Sequence, residues 1–292
     1  MFMGVDRARI VDAAHRIAPF VHHTPVLRSS SLDRWVGAQV FVKAEHLQRV
    51  GAFKYRGATN AVQSLSDAEA RRGVAAHSSG NHAAALALAA ETRGVRAFVV
   101  MPKQASAAKI AAVQRYGAEI TFCDNNLDAR QAALAEVIER TGAIEVHPFD
   151  DERVIAGAGT AALELTQEIT GLDVIVTPIG GGGLCSGTCI AAAPVRVIGG
   201  RPRDRKATRA DGLRTGCSAR TEAILHEHGV AQVVVDETDM IDAMRTVWER
   251  MKQVIEPSAA VAFAAARAAQ LDGARVGIIC SGGNVDLDTL SW

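Results

Sequence analysis

Four short stretches of this 292-residue chain carry residue types that do chemistry. VGAFKYRGA (50–58) holds one lysine, Lys54, between Phe53 and Tyr55. A lysine amine becomes a nucleophile toward carbonyls when burial or neighbouring charge takes away its proton. TPIGGGGLCSGT (177–188) sets four consecutive glycines, Gly180, Gly181, Gly182 and Gly183, between an apolar run and a helical one. Glycines let backbone N–H groups approach an anion, and a helix N-terminus adds its dipole, which makes a phosphate cradle. No Gly-Lys-Ser/Thr follows, so this is not a nucleotide P-loop, and the first β-α turn lacks a dinucleotide G-x-G-x-x-G. A flexible loop without a ligand is the alternative reading of these glycines. HSSGNHAAALALAA (77–90) gathers hydroxyls and free N–H groups at a helix start, which suits a carboxylate, although Ser, Gly and Asn are also ordinary caps. VGIICSGGNVDL (276–287) delivers Ser281 and two glycines into a turn after an apolar run. A phosphate site, a carboxylate site and an activatable lysine together fit a phosphorylated aldehyde that condenses with Lys54. Pyridoxal phosphate has those requirements, plus a group for its ring nitrogen.

The elements that must position these residues alternate regularly. Strands are expected at 40–45, 73–78, 97–102, 119–124, 173–180, 195–200, 232–237 and 276–283. Several are apolar throughout, as strands buried on both faces of a parallel sheet are. Between them lie helical stretches such as NHAAALALAAETRG, ASAAKIAAVQRYG, LDARQAALAEVIERTG and TAALELTQEITG, each closing on a glycine that reads as a C-terminal stop. This alternation implies an α/β fold with helices on both faces of mostly parallel sheets. The Gly/Ser turns sit where strands end, the usual location of ligands in such folds. The series at 73–147 and the one from 173 onward imply two lobes with a cleft between them.

Lys+Arg and Asp+Glu balance at 32 each, which gives no electrostatic reason to expect nucleic acid or an anionic membrane as partner. The N-terminal twenty residues interleave charges with apolar residues, and no segment reaches the roughly 20 apolar residues of a membrane helix. A cytoplasmic protein is expected. The five cysteines, Cys123, Cys185, Cys189, Cys217 and Cys280, form no CxxC pair, so neither a zinc site nor a disulfide framework is indicated. Cys185 and Cys189 read as small core residues.

VGAFKYRGA resembles the (G)SFKxRGA lysine motif of fold-type II pyridoxal-phosphate enzymes, in the threonine/serine dehydratase and serine racemase group. SSGNHAAA resembles that group's SSGNHxQA loop, IGGGGLCSG its tetraglycine loop, and CSGGNVD its closing SGGN motif. IAGAGTAALEL, RADGLRTG and VWERMKQVIEPSAAVAFAA match supporting stretches, in family order, from about residue 5 to 288. The resemblance implies a two-lobed, three-layer αβα fold like that of the tryptophan synthase β chain. Residues 1–70 plus 150–292 would form a large cofactor-binding domain, and 71–149 a small domain closing over the substrate. It further implies a homodimer or homotetramer.

The same resemblance assigns roles. Lys54 would hold pyridoxal 5'-phosphate as a Schiff base and then take the substrate Cα proton. Phe53 would lie against the cofactor plane, Asn81 would bond its 3′ oxygen, and Ser281 would meet the pyridine nitrogen. Gly180, Gly181, Gly182, Gly183 and Leu184 would bind the phosphate. Ser78, Ser79, Gly80 and His82 would surround the substrate carboxylate. Ser79 would sit opposite Lys54, where a racemase needs its second acid/base, and Arg130 would lie near the substrate. The first reaction implied is dehydration of L-threonine or L-serine to a 2-oxo acid and ammonia. Serine racemisation and 3-hydroxyaspartate ammonia-lyase activity are alternatives within the same chemistry, and a cofactor-binding protein without catalysis is a more distant one. The sequence departs from the group at Ala52 (for serine), Ala83-Ala84 (for Gly-Gln) and Ala158 (for glutamine). Arg201 replaces a glutamate that binds a structural divalent cation in the group, and the loop after it is short. No metal is therefore expected, with Arg201 supplying the charge. The chain closes soon after SGGN, so feedback control through a C-terminal regulatory domain is not expected.

Overall fold

The computed structural model describes residues 4–78, 80–105 and 107–287. Its strands are β1 (Val26–Leu27), β2 (Gln39–Lys43), β3 (Val74–His77), β4 (Ala97–Pro102), β5 (Glu119–Cys123), β6 (Ile144–Glu145), β7 (Val174–Pro178), β8 (Arg196–Pro202), β9 (Ala231–Val235) and β10 (Arg275–Ile279). The helices are α1 (Arg7–Ile17), α2 (Ser30–Val36), α3 (Lys54–Gln63), α4 (Asp67–Ala70), α5 (Asn81–Arg93), α6 (Ala107–Arg115), α7 (Leu127–Thr141), α8 (Glu152–Glu168), α9 (Gly183–Ala192), α10 (Ala219–Glu227), α11 (Glu237–Met251) and α12 (Pro257–Ala268). Two sheets result, a six-stranded one in the order β1-β2-β10-β7-β8-β9 and a four-stranded one in the order β5-β4-β3-β6. Every pairing is parallel except β1 with β2. All eight expected strands are present. The two that the sequence does not announce, β1 and β6, are two residues long and too short to show a period.

Strand alternation explains why the apolar runs are continuous. Val174, Val176, Val276 and Ile278 face a core closed by α11 and α12. Phe41, Ile175, Val197 and Ile279 face the opposite core, closed by α1, α8 and α9. In the smaller sheet Val74 and Ala76 pack toward α3 and α5, while Ala75, Phe98 and Val100 pack toward α7. Each sheet is the middle of three layers, as its two-sided hydrophobicity requires. Gly94 and Gly142 cap α5 and α7 in the left-handed conformation. The glycine expected to stop α8 lies past the end: the cap there is Ile169, and the helix begins at Glu152, eight residues before the expected stretch.

Helix α8 is the spine of the large sheet's inner layer, and glycine contacts bring two other helices close to it. A Cβ on Gly57 of α3 would meet the Val154 carbonyl at 2.8 Å, and one on Gly157 would meet the Arg56 carbonyl at 2.5 Å. On another face of α8, a Cβ on Gly159 would meet the Gly187 carbonyl of α9 at 2.8 Å. The helix that begins with Lys54 and the helix that follows the four glycines are thus both seated on α8 at backbone contact. Arg56 fixes the first of them further. Its buried guanidinium pairs with Glu45 at 2.7 Å and with Glu164 at 2.6 Å. Breaking such a buried pair by removing one partner typically costs about 3–5 kcal/mol.

Candidate active site

Lys54 is the first residue of α3, and its position depends on the closing motif. The Phe53 amide donates to Ser281 O at 3.0 Å, and the Gly283 amide to Gly51 O at 2.9 Å. Ala52 forms a bridge with Gly282. The lysine loop and the SGGN turn are therefore one backbone unit at the end of β10. Gly51 has φ +68°, and a Cβ there would meet Asn284 Oδ1 at 2.6 Å, so the turn into the lysine needs glycine.

The Lys54 ammonium is buried. Nζ donates to Pro148 O at 2.7 Å and lies 5.1 Å from the Phe53 ring centroid. Burial moves its pKa down to about 8, against an upward pull from the Glu256 carboxylate. A lysine in this state reaches its neutral, nucleophilic form near physiological pH.

Pro148 belongs to His147-Pro148-Phe149, which links the lysine to the glycine loop. A Cβ on Gly181 would meet the Phe149 ring at 2.3 Å, and one on Gly183 would meet the Phe149 backbone at 3.0 Å. A Cβ on Gly182, at φ +89°, would strike Thr221 at 2.7 Å. A Cβ on Gly180 would meet the Gly212 carbonyl at 2.7 Å, so the loop is glycine because three different neighbours, Phe149, Thr221 and Gly212, touch its backbone. Gly183 opens α9, so the amides of Gly183, Leu184 and Cys185 belong to the first turn, which the helix itself cannot satisfy. These amides and the helix dipole form an anion cradle. Leu184 offers only its amide there, since its side chain is in the core.

Asn81, the first residue of α5, donates through Nδ2 to both oxygens of Glu256, at 3.0 and 3.1 Å, and its Oδ1 accepts from Asn284 at 3.0 Å. Glu256 is buried, and burial raises its pKa to about 7. It also accepts from the Asn284 amide at 3.2 Å. One carboxyl group thus joins the SSGN loop, the SGGN turn and the start of α12. Sequence reading did not single Glu256 out, because an acid directly before the proline of a helix start reads as an ordinary cap.

His82 is fully buried, and burial, followed by the Lys54 charge, lowers its pKa to about 3. Its Nε2 donates to Val146 O at 2.9 Å, and Nδ1 is buried without a partner among the described residues. The ring is thus neutral, and its one N–H is committed to the backbone. His147 is held neutral near about 4 by burial and by His77, and its Nδ1 accepts the Phe149 and Asp150 amides. The His77 and His147 rings meet edge to face at 6.3 Å. Arg130, in the first turn of α7, donates through Nη2 to Asn125 Oδ1 at 2.5 Å, while its Nε is buried and unpartnered among the described residues. Its charge acts on His77. Electrostatic coupling thus runs from Lys54 to His147, from His147 to His77 and from His77 to Arg130. Ser78, next to His77, accepts the Gly80 amide on Oγ at 3.3 Å. Ser79, expected to face Lys54, lies outside the described residues.

The cradle, the buried lysine and the unpartnered acceptor on His82 suit a flat, phosphorylated aldehyde. A family model for pyridoxal-phosphate dependent enzymes matches residues 17–282. The chain belongs to that family. A serine racemase of Oryza sativa subsp. indica is 42% identical over 315 residues, covering 98% of this chain and 93% of the relative. A β-hydroxyaspartate dehydratase of Paracoccus denitrificans is 43% identical over 304 residues, covering 96% of each. The solved structure of maize serine racemase superposes with a TM-score of 0.94 at 40% identity, covering 98% of this chain and 95% of that one. Like its relatives, this pyridoxal-phosphate dependent enzyme has a mixed α/β fold with parallel sheets.

Two features outside the cleft bear on metals. Arg201 lies on β8 opposite Val234, and the arginine that reaches the loop carbonyls is Arg205, four residues later. His23, Glu164 and Glu168 have ligand atoms within 4.8 Å of one another. Lys43 Nζ, fully buried, pairs with Glu164 at 2.8 Å and Glu168 at 2.9 Å, and Arg56 pairs with Glu164 at 2.6 Å, so both carboxylates already have a cationic partner. Among the described residues, no helix is long and apolar enough to cross a membrane.

Proposed function

We propose that this enzyme eliminates water from a 3-hydroxy amino acid whose side chain bears a carboxylate, with 3-hydroxyaspartate as the model substrate. Arg130 carries this reading. A guanidinium with a buried, unpartnered Nε–H beside His77 suits a second carboxylate better than the methyl or hydrogen of threonine or serine. The names of the Paracoccus and rice relatives support hydroxyaspartate dehydration and serine racemisation over the threonine/serine dehydration that the motifs first suggest.

When bound, pyridoxal phosphate supplies an aldehyde for amines and a conjugated ring that takes up the electron pair left at Cα. The protein's part is positioning and proton transfer. The amides at the start of α9 would hold the phosphate, and Asn81 with Ser281 would orient the ring. Lys54 Nζ takes the Cα proton, with the Pro148 carbonyl directing one of its hydrogens. The Cβ–O bond breaks as the ammonium returns a proton to the departing hydroxyl, so water leaves. The released unsaturated amine hydrolyses to a 2-oxo acid and ammonia. General acid-base steps of this kind typically contribute about 10²- to 10⁴-fold.

Racemisation is the second reading. It needs an acid on the face opposite Lys54, the role the resemblance gives to Ser79. A panel of L- and D-serine, L-threonine and the 3-hydroxyaspartate stereoisomers, scored for 2-oxo acid and for the inverted enantiomer, separates the readings. Highest kcat/KM for hydroxyaspartate is expected, with Arg130→Met lowering it about 10²-fold and leaving serine within a few-fold, the scale of a lost charge-assisted contact. Faster turnover of serine or threonine, or an equal loss on every substrate, would overturn the proposal.

A further inference from the structure

Behind the glycine loop, three successive backbone carbonyls are held by side chains of one segment, residues 205–221. Arg205 Nη1 donates to Ile179 O at 3.0 Å. Cys217 Sγ donates to Gly180 O at 3.8 Å, and Thr221 Oγ1 to Gly181 O at 2.8 Å. The same Arg205 nitrogen also donates to Leu213 O at 2.7 Å and Thr215 O at 3.1 Å. Arg205 therefore closes its own segment into a compact turn before that turn reaches the loop.

In a trans peptide unit, the carbonyl and the following N–H point in opposite directions within one plane. Holding the carbonyls of Ile179, Gly180 and Gly181 on the strap side therefore directs the amides of Gly180, Gly181 and Gly182 to the other side. There they extend the row of free amides that opens α9. Glycine has little conformational preference of its own, so a run of four would leave these planes free to rotate without outside support.

We propose that the 205–221 segment is a positioning strap for the phosphate cradle, with Arg205 and Thr221 as the positioning residues. Neither touches the phosphate. Their effect is to pre-orient the peptide planes that do, so that the ordering cost is met before the cofactor arrives. The strap also brings the fixed charge of Arg205 behind the loop, where it favours a dianionic phosphate.

Titration of the apo-protein with two probes tests this. Pyridoxal phosphate reports the cradle. Pyridoxal, which still condenses with Lys54 but has no phosphate, reports the rest of the site. In Thr221→Val the affinity for pyridoxal phosphate, followed by absorbance, is expected to fall about ten-fold, and in Arg205→Ala up to about a hundred-fold, the range for lost hydrogen bonds to buried or charged groups. Arg205→Lys, a point charge without the fork, is expected to fall between wild type and Arg205→Ala. Pyridoxal affinity should stay within about two-fold throughout, the scatter of near-neutral changes. Unchanged pyridoxal phosphate affinity in both positions, or an equal loss for pyridoxal, overturns the proposal. Should Arg205→Ala fail to fold, the near-isosteric Thr221→Val decides alone.

Discussion

Lys54 is reactive because of where its stem ends. Its ammonium is buried beside a carbonyl and an aromatic ring, and the carboxyl that pulls on it, Glu256, is itself reluctant to ionise. The rate at which apo-protein captures pyridoxal phosphate should therefore rise with pH through a midpoint of about 8, since the neutral amine is the nucleophile. Glu256→Gln removes the upward pull of the carboxylate, so that midpoint should move further down. A midpoint near the ordinary lysine value of about 10.4, or an upward move in Glu256→Gln, would show that burial does not activate Lys54. The lysine itself was readable because its neighbours form a motif. Glu256 was not, because its significance comes from Asn81 and Asn284, distant in sequence, meeting one buried carboxyl. The fixed charge expected from Arg201 is joined by that of Arg205, four residues later, whose reach to the Ile179 carbonyl only the path of the short loop after β8 reveals.

At the scale of elements, the continuous apolar runs gave every strand of more than two residues, since two-sided burial leaves a signal in composition. The glycines of RGA and AGAG were read only as parts of a family pattern. Their physical reason is that α3 and α9 both approach α8 at backbone contact, which no periodicity displays. The loop from β8 to α10 is the element with the least sequence signal and the most consequence. Because the Arg205 guanidinium binds two carbonyls of this loop and the Ile179 carbonyl beyond it, cofactor affinity and turnover should survive exhaustive chelation. Activity lost on chelation and restored by Mg²⁺ or Mn²⁺ would show that the loop binds a cation after all.

For the molecule as a whole, residues that follow strands of the two sheets meet at the site, and contacts join them there. Asn81 and Glu256 form one such contact at depth. Nearer the surface, Lys109 of α6 pairs with Asp211, whose neighbour Gly212 rests against Gly180 of the cradle. Both partners are partly exposed, 37% and 48%, so dissolved salt screens them. The energy at stake is at most about 1 kcal/mol, or roughly five-fold in an opening equilibrium. If product escape limits turnover, kcat should climb with ionic strength by no more than that factor, and Asp211→Asn should be fast already at low salt and insensitive to further additions. A wild-type kcat that is flat in salt, with Asp211→Asn unchanged, would show that escape takes another path. With the salt dependence expected above, this ion pair acts as a throttle set by the solution: the surrounding electrolyte determines how long each product waits at the door.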